Sequence, residues 1–207
     1  MISSQKTAPV RSRATRLTLL CRGATLSNLQ SRFFSDEPLL PKEINRAEAL
    51  AQALPKFDDV LHAPERSAAE TASVFSREAR ICLSLRDADY GTWSGRSIKE
   101  IAASSPLELQ HWMSDPMSAP HDGEPFGAVR QRVVSWLDNR HAKGGNTLAV
   151  THGVVVKLVL ASVLDAPLTS LWRVDVEPLG LLCLTSDGRR WAMRSFGANF
   201  PVQASDS

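Results

Sequence analysis

Residues 146–163 read NTLAVTHGVVVKLVLASV and join an apolar strand-forming run to an apolar helix-forming run through His152 and a glycine. Residues 16–23, RLTLLCRG, repeat this design with Arg22 and a glycine after the apolar run. In an open α/β sheet, ligands gather at the carboxyl ends of strands, where helix N-termini offer free N–H groups. The two stretches therefore predict an α/β fold with an anion-binding site.

The rest of the chain alternates short strand-forming runs with longer segments of helical period, a pattern that is typical of a largely parallel sheet. Strands are predicted at 16–21, 57–62, 80–85 and 146–151, with two or three closing strands in 173–196. Amphipathic helices are predicted at 42–54 and 127–140. Asp187-Gly188 is a two-residue hairpin signal, so we expect the sheet to end in an antiparallel pair.

Residues 85–125 form the longest stretch without a clear period and contain several glycines and prolines. Short helices are predicted within it at 97–103 and 106–113. Long excursions of this kind in compact domains are usually functional. We therefore expect a helical cap insertion over the site at the sheet edge.

The composition predicts a single domain, because 207 residues at 43% apolar content suffice for one sizeable core. We place it at 16–198, between a disordered basic tail at 1–15 and a flexible tail at 199–207. The 24 Lys and Arg residues nearly balance the 22 Asp and Glu residues, so neither nucleic acid nor a membrane is an expected partner. The acid-free, basic start also fits an organellar transit peptide, although we favour a plain tail.

No apolar run approaches the ~18 residues needed to cross a bilayer, and we predict a cytoplasmic protein. The three cysteines, Cys21, Cys82 and Cys183, are widely spaced, which is typical of reduced thiols rather than a disulfide framework. The five histidines are scattered and there is no Cys-x-x-Cys pair, so we expect no metal or other cofactor.

Five short stretches lie in order along the chain and together carry a resemblance. They are CRGATLSN at 21–28, APERSAAETA at 63–72, LRDADYGTWSG at 85–95, Gly123-Glu124 and THG at 151–153. Together they resemble the motifs of the histidine phosphatase superfamily, also called the phosphoglycerate mutase-like family. The resemblance implies a three-layer sandwich with a mostly parallel sheet, an antiparallel closing hairpin and a helical cap. Residues 89–97, DYGTWSGRS, and residues 172–179 look most similar to small bacterial members, including ones similar to α-ribazole phosphatase of cobalamin synthesis.

In active members of that family, a histidine of the first motif attacks a phosphoryl group, arginines and a late histidine bind its oxygens, and an acid protonates the leaving oxygen. Imidazole can form a transient phosphoimidazole, guanidinium forks match phosphate oxygens, and a carboxylic acid delivers a proton. The resemblance implies phosphate-binding roles for Arg22, Asn28, Arg66 and His152. It implies catalytic roles for His152 and Asp87, and a small phosphorylated ligand or phosphate as the partner.

The first motif departs from the family pattern at the position that matters most. Arg22 stands where the nucleophilic histidine is expected, and Cys21 replaces the preceding arginine. An arginine stays protonated and offers no lone pair for attack on phosphorus. Ser67 stands where a further arginine is expected, and Arg66, one residue earlier, has a side chain long enough to reach back near a helix start.

Three side chains are alternative nucleophiles. His62 ends the second predicted strand, and His121 lies in the cap. Cys21 is the poorest of them, because a cysteine phosphatase closes its phosphate loop with an arginine several residues later and this chain has none there.

The sequence leaves three functions open. We favour a binding or regulatory protein with a phosphate-shaped pocket and impaired or absent phosphohistidine catalysis. The second is an active phosphomonoesterase, similar to α-ribazole phosphatase, that uses an unconventional nucleophile such as His62. The third is a protein-interaction module whose pocket is vestigial.

Overall fold

The computed structural model describes residues 14–33 and 35–197, which form an α/β domain around one six-stranded sheet. The strand order is β3-β2-β4-β1-β5-β6. The strands are β1 (Thr15–Cys21), β2 (Asp59–His62), β3 (Arg80–Ile81), β4 (Gly145–Thr151), β5 (Leu181–Ser186) and β6 (Trp191–Gly197).

Four adjacent strands, β3, β2, β4 and β1, are parallel, whereas β5 runs antiparallel to β1 and β6 antiparallel to β5. The mostly parallel sheet with an antiparallel closing hairpin is thus confirmed. Gly188 lies in the turn of that hairpin at φ +91°, in the left-handed region that glycine adopts without a steric penalty.

Seven helices connect the strands within the described residues. They are α1 (Leu26–Leu29), α2 (Pro41–Ala53), α3 (Arg66–Ser73), α4 (Ile98–Ser104), α5 (Pro106–Ser114), α6 (Phe126–Asp138) and α7 (Gly153–Val163). The chain crosses the sheet in one direction from β1 to β3 and returns from β3 to β4, so right-handed crossovers place α2 and α3 on one face and α6 on the other. Helix α7 packs against α6. The expected three-layer arrangement is confirmed.

The predicted strand at 80–85 is shorter in the structure. Only Arg80–Ile81 pairs with β2, and a 3₁₀ turn at Leu83–Leu85 follows. The amide of Cys82 still donates to the carbonyl of His62, the last residue of β2, and beyond that point the sheet offers no partner. Because β3 lies at the sheet edge, the apolar side chain of Leu83 remains 66% exposed.

The centre of the core is formed by β4 and α7. Leu148, Ala149 and Val150 of β4 and Val155 and Val156 of α7 are fully buried. Strand β4 lies between β1 and β2, so apolar residues on both of its faces are covered. His152, the residue that links β4 to α7, therefore lies between two buried elements.

Within the cap insertion at residues 85–125, backbone hydrogen bonds join two glycine-containing segments, residues 89–92 and 121–124. Thr92 N donates to the His121 carbonyl at 2.8 Å, and Glu124 N donates to the Asp89 carbonyl at 2.7 Å. A Cβ atom at Gly91, whose φ is +46°, would lie 2.0 Å from the His121 carbonyl oxygen. Only glycine permits this approach.

The predicted tails lie mostly outside the described residues. Of the tail predicted at 1–15, residues 14 and 15 are described, and β1 begins at Thr15. The tail predicted at 199–207 falls entirely outside them. Within the part of the chain that is described, no helix has the length and apolar character needed to span a membrane.

Candidate functional site

The candidate site lies at the carboxyl ends of β1 and β4, which are adjacent and parallel. Cys21 and Thr151, the last residues of the two strands, are in register, and the next residues along the chain are Arg22 and His152. Arg22 N donates to the Thr151 carbonyl at 2.8 Å, which extends the pairing by one step. The two residues singled out from the sequence are therefore brought to one edge of the sheet.

Arg22 is a buried arginine, 7% exposed, that lines the cavity at this edge. Its Nη1 donates to Asn28 Oδ1 at 2.7 Å and to the Gly23 carbonyl at 2.8 Å. Asn28 Oδ1 also accepts from the backbone N and Oγ1 of Thr25, so helix α1 holds the amide in place. The buried Nε of Arg22 has no hydrogen-bond partner among the described residues.

His152 is held between two carboxylates. Its Nε2 lies 2.9 Å from Glu65 Oε2, and its Nδ1 lies 3.1 Å from Asp87 Oδ2. The other oxygen of Glu65 accepts from Asp87 N at 3.0 Å, which ties the two acidic residues together. Both ring nitrogens therefore face carboxylates of this chain.

The two carboxylates favour the charged form of the imidazole. Burial alone would lower the pKa of His152, but the charge of Asp87 and the hydrogen bonds to Asp87 and Glu65 raise this pKa to about 9. Burial likewise opposes ionisation of Asp87 and Glu65, but the contacts with the imidazolium and the backbone hydrogen bonds together lower the pKa of each carboxyl group. At neutral pH the three groups form a buried ion triad.

A second arginine positions the backbone of Asp87. Arg132 donates to the carbonyls of Ser84 and Asp87, each at 2.8 Å. Its guanidinium also makes a two-pronged contact with Glu124, at 2.9 and 3.0 Å. Glu124, from the Gly-Glu stretch noted in the sequence, thus forms an ion pair with the arginine that binds the Asp87 carbonyl.

Arg66 does not reach the cavity. It is the first residue of α3, and its Nε donates to Glu70 Oε1 at 2.7 Å on a surface where its side chain is 60% exposed. Ser67, the next residue, is fully buried, and its hydroxyl has no hydrogen-bond partner among the described residues. The structure therefore brings Arg22, Asn28 and Asp87 to the cavity, places His152 beside Asp87, and leaves Arg66 apart.

The alternative nucleophiles are not among the residues that line the cavity. His62 is buried, and its Nδ1 lies 2.7 Å from the Ala63 carbonyl. His121 is fully buried in the cap, where Gly123 N donates to its Nδ1 at 3.0 Å. Burial raises the pKa of the Cys21 thiol to about 11, which keeps this group protonated at neutral pH.

The cavity has a volume of about 360 Å³. One wall is aromatic and consists of Phe33, Tyr90, Trp112, Phe126 and Trp172. The ring centroids of Trp112 and Trp172 are 4.9 Å apart in an edge-to-face arrangement. Arg32 and Lys157 also line the cavity, so together with Arg22 they give it three basic side chains. Within the described residues, no group of three or more His, Cys, Asp or Glu side chains is arranged to hold a metal ion.

Comparison with known proteins identifies the fold and the family. The model of the histidine phosphatase superfamily, branch 1, matches residues 17–199. The chain belongs to the histidine phosphatase superfamily. Both the resemblance read from the five stretches and the fold expected from it are confirmed.

Individual relatives include phosphatases. An adenosylcobalamin/alpha-ribazole phosphatase of Salmonella typhimurium is 30% identical over 173 residues, covering 78% of this chain and 86% of that protein. A bifunctional protein of Mycobacterium tuberculosis is 27% identical over 187 residues, covering 84% of this chain and 51% of that protein, so this chain spans about half its length. Phosphoserine phosphatase of Entamoeba histolytica, solved in complex with 3-phosphoglyceric acid, superimposes with a TM-score of 0.80 at 19% identity, covering 89% of this chain and 97% of that one.

Glu65 is the site residue that the sequence did not reveal. It belongs to the APERSAAETA stretch, but nothing in that stretch predicts a contact with His152. The available signal was its place, three residues after the end of β2 and at the same sheet edge as His152. That signal required the strand order, in which β2 is the neighbour of β4.

Proposed function

We propose that this chain is a histidine phosphatase superfamily protein that binds a small phosphorylated ligand and has lost phosphohistidine turnover. It then serves as a binding or regulatory protein. The observation that carries the proposal is Arg22, a buried guanidinium that faces the cavity at the end of β1, where the family pattern has its nucleophilic histidine. A guanidinium binds an oxyanion well but cannot attack phosphorus.

The unsatisfied donor of Arg22 supports anion binding. A buried N–H without a partner costs about 1 to 3 kcal/mol, and an oxyanion in the cavity would satisfy the Nε group. Asn28 fixes the opposite side of the guanidinium, so the free edge is already oriented. Lys157 adds a further cation to the cavity lining.

The aromatic wall supports a ligand with a flat organic part. Trp172 is 38% exposed and packs edge-to-face with the buried Trp112, so one indole ring remains accessible from the cavity. Aromatic side chains stack favourably on planar groups, at about 0.5–1.5 kcal/mol for each pair. A phosphorylated ligand with an aromatic or other flat moiety would use both the wall and Arg22.

Loss of turnover follows from the absence of a usable nucleophile among the described residues at the cavity. His62 and His121 do not line it, and the Cys21 thiol stays protonated at neutral pH. Removing a covalent nucleophile commonly costs on the order of 10³ to 10⁶ in rate. Asp87, the candidate acid, is ion-paired with His152 and ionised at neutral pH, so it has no proton to deliver.

The test measures thermal unfolding with inorganic phosphate or orthovanadate. A dissociation constant of about 1 mM would raise the unfolding free energy by about 1.4 kcal/mol at roughly 10 mM ligand, or about 3 to 6 °C in Tm. Arg22→Gln should abolish this shift, whereas Arg77→Gln, a control at an exposed arginine outside the cavity, should preserve it. Equal shifts in wild type and Arg22→Gln would refute the assignment of Arg22.

A second candidate function is phosphomonoester hydrolysis through an unconventional nucleophile, favoured by the 30% identity to an adenosylcobalamin/alpha-ribazole phosphatase. It requires that His62→Ala remove a measured activity while Arg22→Ala does not. The third candidate, an interaction module with a vestigial pocket, requires no stabilisation by either anion at millimolar concentration.

A further inference from the structure

The ion triad of Glu65, His152 and Asp87 has a consequence for which ligands the pocket accepts. Phosphate binding to an imidazolium requires a free N–H on the ring. In this chain Nδ1 faces Asp87 and Nε2 faces Glu65, at 3.1 and 2.9 Å. An incoming oxyanion must displace one of the two carboxylates before it can contact the ring.

The two carboxylates differ in their exposure and in the contacts that hold them. The side chain of Asp87 is 8% exposed, its Oδ1 accepts from Ala88 N at 2.8 Å, and Arg132 fixes its carbonyl. The side chain of Glu65 is 14% exposed and extends from the residue that precedes α3. Truncating Glu65 would remove the carboxylate that faces Nε2 and the bond that Glu65 Oε1 accepts from Asp87 N, but Asp87 would keep its bonds from Ala88 N and Arg132, and with them its contact with Nδ1.

The charges at the sheet edge also disfavour a dianion at His152. Arg22 and the His152 imidazolium contribute two positive charges, and Glu65 and Asp87 contribute two negative charges, so the group is neutral as a whole. A carboxylate about 5 Å from a bound phosphate, at an effective dielectric constant of about 20, repels it by enough to change the affinity more than tenfold.

We propose that Glu65 is a specificity-determining residue that occupies the anion position at His152 and confines ligand oxyanions to the Arg22 side of the pocket. Glu65 acts as an internal anion in place of a phosphate oxygen. This inference rests on the proposed anion-binding function, and it predicts that the wild-type protein binds phosphate less tightly than the same scaffold without Glu65.

The experiment compares wild type, Glu65→Ala and Glu78→Ala by calorimetric titration with inorganic phosphate at pH 7.5. Glu78→Ala removes the same charge at an exposed position that has no described contact with His152. Glu65→Ala should bind phosphate at least about tenfold more tightly than wild type, and Glu78→Ala should match wild type. The ¹⁵N signals of the His152 ring should respond to phosphate in Glu65→Ala alone.

The outcomes separate the two proposals. Wild-type binding with no gain in Glu65→Ala, or a gain without a response of the His152 ring, would overturn the role of Glu65 and leave phosphate binding at Arg22 standing. No wild-type binding together with clear binding by Glu65→Ala would support the role of Glu65 and count against the proposed function. If Glu65→Ala does not fold, Glu65→Gln removes the charge at nearly constant size, and unchanged phosphate affinity in that variant would overturn the inference.

Discussion

The protonation state of His152 gives the sharpest quantitative prediction, and Asp87→Asn is the perturbation that tests it. The carboxylate of Asp87 lies 3.1 Å from Nδ1 and is the strongest contributor that raises the pKa of His152. The amide of asparagine is close to the carboxylate in size but carries no charge. Any change in the pKa of the ring therefore reports the electrostatic part of the contact.

The magnitude follows from the shift in the pKa of His152 from 6.5 to about 9. Each pKa unit is worth 1.36 kcal/mol, so the protonated ring contributes about 3 kcal/mol to the unfolding free energy. Because the folded-state pKa is raised, this contribution is fully present below about pH 6.5. It is lost as the pH rises through about 9.

Asp87→Asn should lower the pKa of His152 by more than about one unit and reduce the unfolding free energy at pH 6.5 by about 1.5 to 3 kcal/mol. The assay pairs urea unfolding between pH 6 and 9 with NMR titration of the ring. Asp89→Asn is the matched control, since its carboxylate accepts from Gly91 N and no described contact joins it to His152. A wild-type His152 ring that titrates at or below 6.5, or equal pKa values of this ring in wild type and Asp87→Asn, would show that the Asp87 carboxylate does not raise the pKa of His152.

Two further predictions concern the cap and the first motif. Gly91→Ala should lower the unfolding free energy by more than about 2 kcal/mol, because the new Cβ meets the His121 carbonyl. Gly95→Ala, also at positive φ but in open space, should lower it by about 1 kcal/mol. Equal losses of the two variants in urea unfolding would contradict the contact at Gly91. The double variant Cys21→Arg/Arg22→His should hydrolyse phenyl phosphate measurably faster than wild type, because it restores the attacking imidazole and the arginine before it. A folded but inactive double variant would show that the residue at Ser67, Glu65 or Asp87 also blocks turnover.

The sheet was largely predictable from sequence because its signals are local. The apolar runs at 16–21 and 146–151 have the length and composition of buried strands, and the structure places strands there. The run at 80–85 has a similar composition, but the sheet supplies a partner for only two of its residues. Strand length at an edge depends on the neighbouring strand, which the local sequence does not specify.

The site was predictable only where a residue follows directly from a strand end. Arg22 and His152 meet this condition because β1 and β4 end in register. Arg66 begins a helix instead, and its side chain finds Glu70 one turn later on the exposed surface, at the i,i+4 spacing that favours an ion pair. Glu65 contacts His152 across 87 residues of sequence, and only the pairing of β2 with β4 brings them together.

Anion binding without turnover is tested by the steady-state hydrolysis of phenyl phosphate by the wild-type chain, measured on the same preparation that is titrated with phosphate. We expect phosphate to raise the Tm while hydrolysis stays at the rate of buffer alone, because Arg22 binds the oxyanion and cannot attack it. Hydrolysis at an ordinary enzymatic rate of about 1 s⁻¹ or more, with a phosphorylated side chain trapped on acid-free quenching, would contradict it.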